Sequence, residues 1–302
     1  MTNQSERPVI QRLLEETTQS PETRQPIFAQ LRHELKRPVV SYFSSFQFPG
    51  GIEDTDADML EGVLQKLDSK AGLALLINSP GGDGLAAERI VKICRTYSGT
   101  GEYWAIVPGK AKSAATMICF GASKIIMGPT SELGAVDPQL SLVEDDQTRW
   151  FSARNVVASY ETLFERAVAE KGRLEPYLQQ LANYDEREIQ ELRSTIALSE
   201  DIAVRILHSG MMQTEDLDSI RNKIRMFLAP EETETKTHGR AIYRDEASCC
   251  GLNTESADAR SKLWQLVYEL YIRTNHFVST RASKCIESEH HSFAAAVPGR
   301  KE

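Results

Sequence analysis

Between residues 72 and 129 the chain repeats one pattern, and that pattern leaves few folds open. Short, unbroken apolar runs at 72–77, 103–107 and 124–127 end in turns or helix starts rich in glycine, proline or serine. Segments with helical spacing lie between them, at 85–96 and 114–121. An apolar run without alternation suits a strand buried on both faces, as in a parallel sheet. Strands that alternate with helices imply crossover units. A further strand is expected at 38–46. A helix is expected at 54–67, where Met59, Leu60, Val63, Leu64 and Leu67 recur on one face. Pro49-Gly50-Gly51 breaks the chain between these two elements. The fold class expected is α/β with a parallel sheet.

The flanks read differently. Residues 150–230 are expected to form a helical extension. Its first helix, 150–170, carries Val156, Val157, Tyr160, Leu163, Phe164 and Val168 on one face, and 188–198 and 202–208 continue in the same manner. A polar stretch, 231–237, leads to His238, and a last helix is expected at 263–271. Residues 1–36 are polar and charged, with one amphipathic run at 27–35, and read either as an arm or short helix suited to self-association or as a frayed tail. From about Thr280 periodicity is lost. The expected organisation is an arm at 1–36, one domain at 37–279 and a disordered tail at 280–302.

Composition narrows the function classes. The 302 residues are 41% apolar and 26% charged, enough for a sizeable core. A net charge of -8 argues against a surface built for nucleic acid, which needs a basic patch. No run of about 18 apolar residues occurs, so membrane insertion is not expected. The opening residues lack the apolar stretch of a secretory leader. The cysteines, Cys94, Cys119, Cys249, Cys250 and Cys285, are odd in number and scattered, without a metal-ligand spacing. They fit a reducing, cytoplasmic setting. Neither a P-loop nor a G-x-G-x-x-G run is present, so no nucleotide, metal or other cofactor is expected.

Three segments carry candidate chemistry. In LLINSPGGDG (75–84) a buried strand ends in a turn that opens a helix. Gly81 and Gly82 tolerate positive φ and close approach, and amides at such a turn suit a developing anion. In VPGKAKSAATM (107–117) a strand end delivers Ser113 to a helix start beside the small residues Ala114 and Ala115. That is what a nucleophilic serine needs, although a helix N-cap serine has the same signature. In TSELGAVDPQL (130–140) Asp137 precedes a proline and is expected to be extended, as in an ordinary turn.

Together these segments resemble the Clp/crotonase superfamily, and within it most closely the serine dehydrogenase proteinase family, related to signal peptide peptidases of the SppA type. The resemblance is strong over 72–140, weak over 38–71, and returns at 237–253, THGRAIYRDEASCCGLN. It implies a superhelical β-α-β core and a serine peptidase. Ser113 stands at the nucleophile. An amide of the Gly81-Gly82 pair and that of Ala114 stand at the oxyanion hole. His238 is the matching histidine and Asp137 the candidate acid. It also implies a protein or peptide substrate and a homo-oligomer.

The residues alone leave the base open. Serine needs a base within hydrogen-bond reach, and histidine is the natural choice near neutral pH. His33, His290 and His291 lie in the flanks, and His208 and His276 near helix ends, which leaves His238 in a polar loop. The rival is a Ser-Lys dyad using Lys171, since Lys112 adjoins Ser113 and would point away. Two other functions stay in play: a non-catalytic scaffold that keeps the fold, and crotonase-type acyl-CoA chemistry.

Overall fold

The computed structural model of the chain describes residues 8–16, 19–144, 147–232 and 237–297. Its strands are β1 (Val39–Ser44), β2 (Leu73–Asn78), β3 (Tyr103–Val107), β4 (Lys110–Ala111), β5 (Lys124–Met127), β6 (Glu132–Leu133), β7 (Gln139–Glu144), β8 (Gln147–Ser152), β9 (Thr254–Ser256), β10 (Ala282–Glu287) and β11 (Ser292–Ala296). Its helices are α1 (Val9–Glu15), α2 (Gln25–Leu35), α3 (Asp54–Leu64), α4 (Gly84–Tyr97), α5 (Ala114–Phe120), α6 (Ala153–Ala169), α7 (Glu175–Leu181), α8 (Glu186–His208), α9 (Leu217–Lys223), α10 (Arg225–Leu228), α11 (Arg244–Cys249) and α12 (Lys262–Thr280).

The main sheet has the order β11-β10-β1-β2-β3-β5-β9. β1, β2, β3, β5 and β9 are mutually parallel. β10 and β11 extend the β1 edge antiparallel. The register lines Val40, Leu75, Ala105 and Ile125 across one face, packed against α3, α4, α5 and α8. Their neighbours Val39, Ala74, Leu76, Ile106 and Ile126 face α2 and α12. Both faces are therefore covered, which is why these strands read as unbroken apolar runs. Burying each such Leu or Ile side chain contributes about 1.5–3 kcal/mol. Every loop that leaves a parallel strand at its C-terminal end lies on one rim, where open α/β sheets place their sites.

The core elements fall where the apolar spacing puts them; the flanks bring corrections. The helix expected from residue 150 starts at Ala153, because Trp150 and Phe151 pair with Ser141 and Leu140 in the β7–β8 hairpin. The segments 188–198 and 202–208 are one helix, α8, whose polar middle is used: Ser199 Oγ donates to the Val136 carbonyl at 2.7 Å. The last helix continues nine residues past the expected end at 271, to Thr280.

The tail expected to be disordered from 280 supplies β10 and β11. Every residue of β10 is buried, including Lys284 and Glu287. Their partners come from far away in sequence, so the charges hide the strand from a local reading. The arm is likewise part of the domain. Ile27, Phe28, Leu31 and Leu35 of α2 are buried on the α12 side, which uses the apolar stripe within the chain instead of leaving it for self-association. Arg24 grips Glu287 with two hydrogen bonds of 2.7 and 2.6 Å. Residues 1–7 and 298–302, and 233–236 of the polar stretch, lie outside the described residues.

Candidate active site

Ser113 heads α5 with φ 50 and ψ -121. Apart from Lys36 at the end of α2, it is the only non-glycine residue with positive φ among the described residues. Such backbone strain costs on the order of 1–3 kcal/mol and is held only where surroundings enforce it. A sharp strand-to-helix turn of this kind lifts a serine hydroxyl out of the backbone. The side chain does not cap the helix, so the helix-start reading of this serine is not what it does.

The turn is enforced from both sides. Ser79 bridges to the β4 segment: its amide donates to the Lys110 carbonyl at 2.9 Å and its carbonyl accepts from the Lys112 amide at 3.0 Å. Gly81 then runs directly beneath Ser113. A Cβ on Gly81 would lie 2.7 Å from Ser113 Cβ and 2.6 Å from the Lys112 carbonyl oxygen, and its φ is 102. Only glycine satisfies both conditions.

The amides of this turn have different fates. Gly81 N–H donates to Ser79 Oγ at 3.1 Å, and that hydroxyl is bonded to Ser44 Oγ at 2.8 Å. Ile52 forms a parallel bridge to Gly82: Ile52 N–H donates to the Gly81 carbonyl and Asp83 N–H to the Ile52 carbonyl, both at 2.8 Å. This pairing turns Gly82 N–H away from Ile52. Gly82 N–H has no acceptor among the described residues. Nor does Ala114 N–H, which as the first helical amide has no partner within its helix. Two unpaired donors thus flank Ser113.

Asp137 and His238 meet across 101 positions: His238 Nδ1 is 2.5 Å from Asp137 Oδ1. The carboxylate is fully buried, whereas the imidazole is 22% exposed. Gln139 Nε2 donates weakly to the other carboxylate oxygen, at 3.4 Å. The remaining ring nitrogen, Nε2, makes no hydrogen bond among the described residues. Both partners are anchored to the Ser113 segment by backbone. β4 and β6 pair in parallel, Ala111 with Leu133. Leu133 in turn bridges Ile242 antiparallel through hydrogen bonds of 2.9 and 3.0 Å, which ties down the loop carrying His238. Thr116 Oγ1 sits 2.7 Å from the Ala111 carbonyl oxygen and 2.9 Å from that of Gly134, and accepts from Gly134 N–H at 3.1 Å. Ser113 Oγ itself makes no hydrogen bond among the described residues.

The other candidates stand apart. Lys171 is exposed in the turn after α6, without the desolvated setting a lysine base needs. Lys112 points to Glu132, at 3.1 Å, and to the Leu133 carbonyl, at 3.2 Å. Burial pulls its ammonium below the ordinary range, opposed by Glu132. His208 Nδ1 lies 3.0 Å from the Glu215 carbonyl oxygen, and His276 is inside α12. All five cysteines are free. Among the described residues no group of His, Cys, Asp and Glu is arranged to hold a metal ion. Sequence reasoning missed Ile52 and Thr116. The only signal near Ile52 was Pro49-Gly50-Gly51, which reads as a chain break.

Residues 46–149 match the family of ClpP-like SDH-type serine proteinases. That span holds Ile52, Gly81, Gly82, Ser113, Ala114 and Asp137 but not His238. An uncharacterized protein of Methanocaldococcus jannaschii is 46% identical over 89 residues, which is 30% of this chain and 30% of that protein. A mutant form of the membrane-bound stomatin-specific protease 1510-N is similar to this chain at 19% identity with a TM-score of 0.30, over 44% of this chain and 66% of that one. The chain thus spans about a third of the length of the first of these proteins and about two thirds of the second. Among the described residues no helix is long and apolar enough to cross a membrane.

Proposed function

We propose, from the match of residues 46–149 to ClpP-like SDH-type serine proteinases, that this chain is a serine peptidase that hydrolyses peptide bonds through an acyl-enzyme on Ser113. The observation that carries the reading is the close approach of Gly81 to the strained Ser113, with unpaired amides on both sides of it.

In this reading Ser113 Oγ attacks the substrate carbonyl and passes its proton to His238 Nε2. Asp137 accepts from Nδ1–H, which holds the ring with Nε2 as acceptor and stabilises the imidazolium that forms. The oxygen of the tetrahedral intermediate lies between the amides of Gly82 and Ala114. Gly81 serves that hole as a hinge instead of a donor, since its own amide is spent on Ser79. Removing one such donor typically costs on the order of 10²–10³ in rate. The leaving amine takes the proton from His238. Water then attacks the acyl-enzyme with His238 as base, and Ser113 is restored.

Ser113 Oγ must come within about 3 Å of His238 Nε2 for this, and catalytic contacts often tighten only in the substrate complex. The exposed Trp150, Phe151, Phe164, Val168 and Leu178 support assembly of the chain with copies of itself. We place it in the cytoplasm with protein or peptide substrates. The test is casein or a peptide library with the wild type and Ser113→Ala. Hydrolysis that survives the substitution removes the assignment.

A second reading is a scaffold that keeps the fold. It is favoured by the lack, among the described residues, of a hydrogen bond from Ser113 Oγ to a base. A fluorophosphonate probe separates the two: labelling at Ser113 supports the peptidase, and an unlabelled, assembled chain supports the scaffold.

A further inference from the structure

The Ile52 pairing that aims Gly82 N–H is itself held by a charge network in which Lys284 and Asp56 are buried and Glu53 is exposed. Lys284 of β10 is buried, with its side chain 5% exposed. Its ammonium lies 2.9 Å from Asp56 Oδ2 and also pairs with Glu53. Asp56 is fully buried, and the same oxygen accepts from Tyr42 O–H at 2.8 Å and from Glu53 N–H at 2.9 Å. Its other oxygen, Oδ1, is buried without a hydrogen-bond partner among the described residues. Burial and the neighbouring carboxylate push the Tyr42 hydroxyl well above its ordinary range, so it stays a donor.

This network sits where it controls one short segment. Glu53 and Asp56 form the capping box that starts α3, and Ile52 is the residue immediately before it. The preceding loop leans on β10 too: Ser45 N–H donates to the Ser283 carbonyl at 2.9 Å, and a Cβ on Gly50 would lie 2.7 Å from that same oxygen. The segment from Ser45 to Glu53 is thus strapped at both ends to β10 and α3, with Ile52 as its working tip. The tip makes the two hydrogen bonds that orient Gly82. A buried ammonium and carboxylate left without each other are strongly unfavourable, so the pair has one arrangement and the strap has one register.

We propose that Lys284 is a positioning residue: through Asp56 and Glu53 it fixes the Ile52 strap and thereby the direction of Gly82 N–H toward the oxyanion. The inference rests on the peptidase reading above. Lys284 touches neither substrate nor Ser113; it acts through backbone.

The test uses the full chain and a peptide substrate, with a peptide boronate as the probe that forms a tetrahedral anion on a serine. Lys284→Met removes the charge and keeps the length. It is expected to lower kcat about 10- to 100-fold while KM moves less than about threefold, since the full loss of a donor costs on the order of 10²–10³. Boronate affinity falls in parallel with kcat/KM, and Lys284→Arg recovers most of both. A purely structural role would lower the folded fraction and leave kcat per folded site and boronate affinity unchanged, and that result overturns the proposal. If Lys284→Met fails to fold, Glu53→Gln keeps the helix cap and weakens the ammonium's hold. It is expected to lower kcat about two- to fivefold, and an unchanged kcat and boronate affinity overturn the proposal there. A wild type that hydrolyses nothing brings down the peptidase reading and this inference together. A wild type that loses activity with Ser113→Ala, beside fully active Lys284 and Glu53 variants, brings down this inference alone.

Discussion

The two halves of the candidate site are built in opposite ways. The half around Ser113, Gly81 and Gly82 is backbone geometry: positive φ values, amide directions and contacts too close for a Cβ. The half made by Asp137 and His238 is side-chain chemistry, one buried carboxylate against one half-buried ring. Backbone devices rest on main-chain geometry and tolerate almost no change of residue type at the glycines. The side-chain pair joins segments 101 positions apart and depends on which atoms meet. The two halves should therefore fail differently.

The largest separation is expected from Asp137→Asn. The amide fits the same volume but favours the wrong histidine tautomer, so kcat should fall on the order of 10⁴ while the fold persists. Hydrolysis rates together with circular dichroism check this, and near-normal kcat would mean that the Asp137–His238 pair is structural. Gly81→Ala should do the converse. It should lower kcat about 10²-fold and also destabilise the chain by about 1–3 kcal/mol, because alanine is strained at φ 102 and meets the Lys112 carbonyl. Denaturant midpoints beside kcat would show the coupled loss, and full stability would break the claim that this half is set by sterics.

Thr116 joins the halves, since its hydroxyl contacts both Ala111 and Gly134. Thr116→Val keeps the shape and strands buried carbonyls, so a loss of about 1–3 kcal/mol is expected in urea titration. A loss below about 0.5 kcal/mol would mean that the β4–β6 pairing holds the halves unaided. The smallest effect on single-chain stability should come from replacing Trp150 and Phe151 by serine. Exposed positions change stability within about 0.5 kcal/mol. The same variant should shift sedimentation toward smaller species, and an unchanged profile would remove these two aromatics from the self-association surface.

The contrast also explains what could be read in advance. Ser113, Gly81, Gly82 and Ala114 stood out because glycine, proline and small residues at strand ends are local signals of turn geometry. Asp137 and His238 each looked like an ordinary loop residue, and only family resemblance linked them. Ile52 carried no signal, because its contribution is made entirely by main-chain atoms. Lys284 and Glu287 misled: charges in a short segment argue against a buried strand until their partners are known.

What the sequence determined by itself is the parallel α/β core, since unbroken apolar runs between helices have no other stable use than strands covered on both faces. It also marked the strained serine turn, since Gly81 and the small residues after Ser113 report a local geometry. The tertiary structure alone decided the edges and the pairings: that the 280s close the sheet as β10 and β11, that α2 packs on the body, that His238 Nδ1 meets Asp137, and that Gly82 instead of Gly81 keeps a free amide. Each of these depends on which distant group arrives to satisfy a charge or a hydrogen bond, and local spacing along the chain does not encode that arrival.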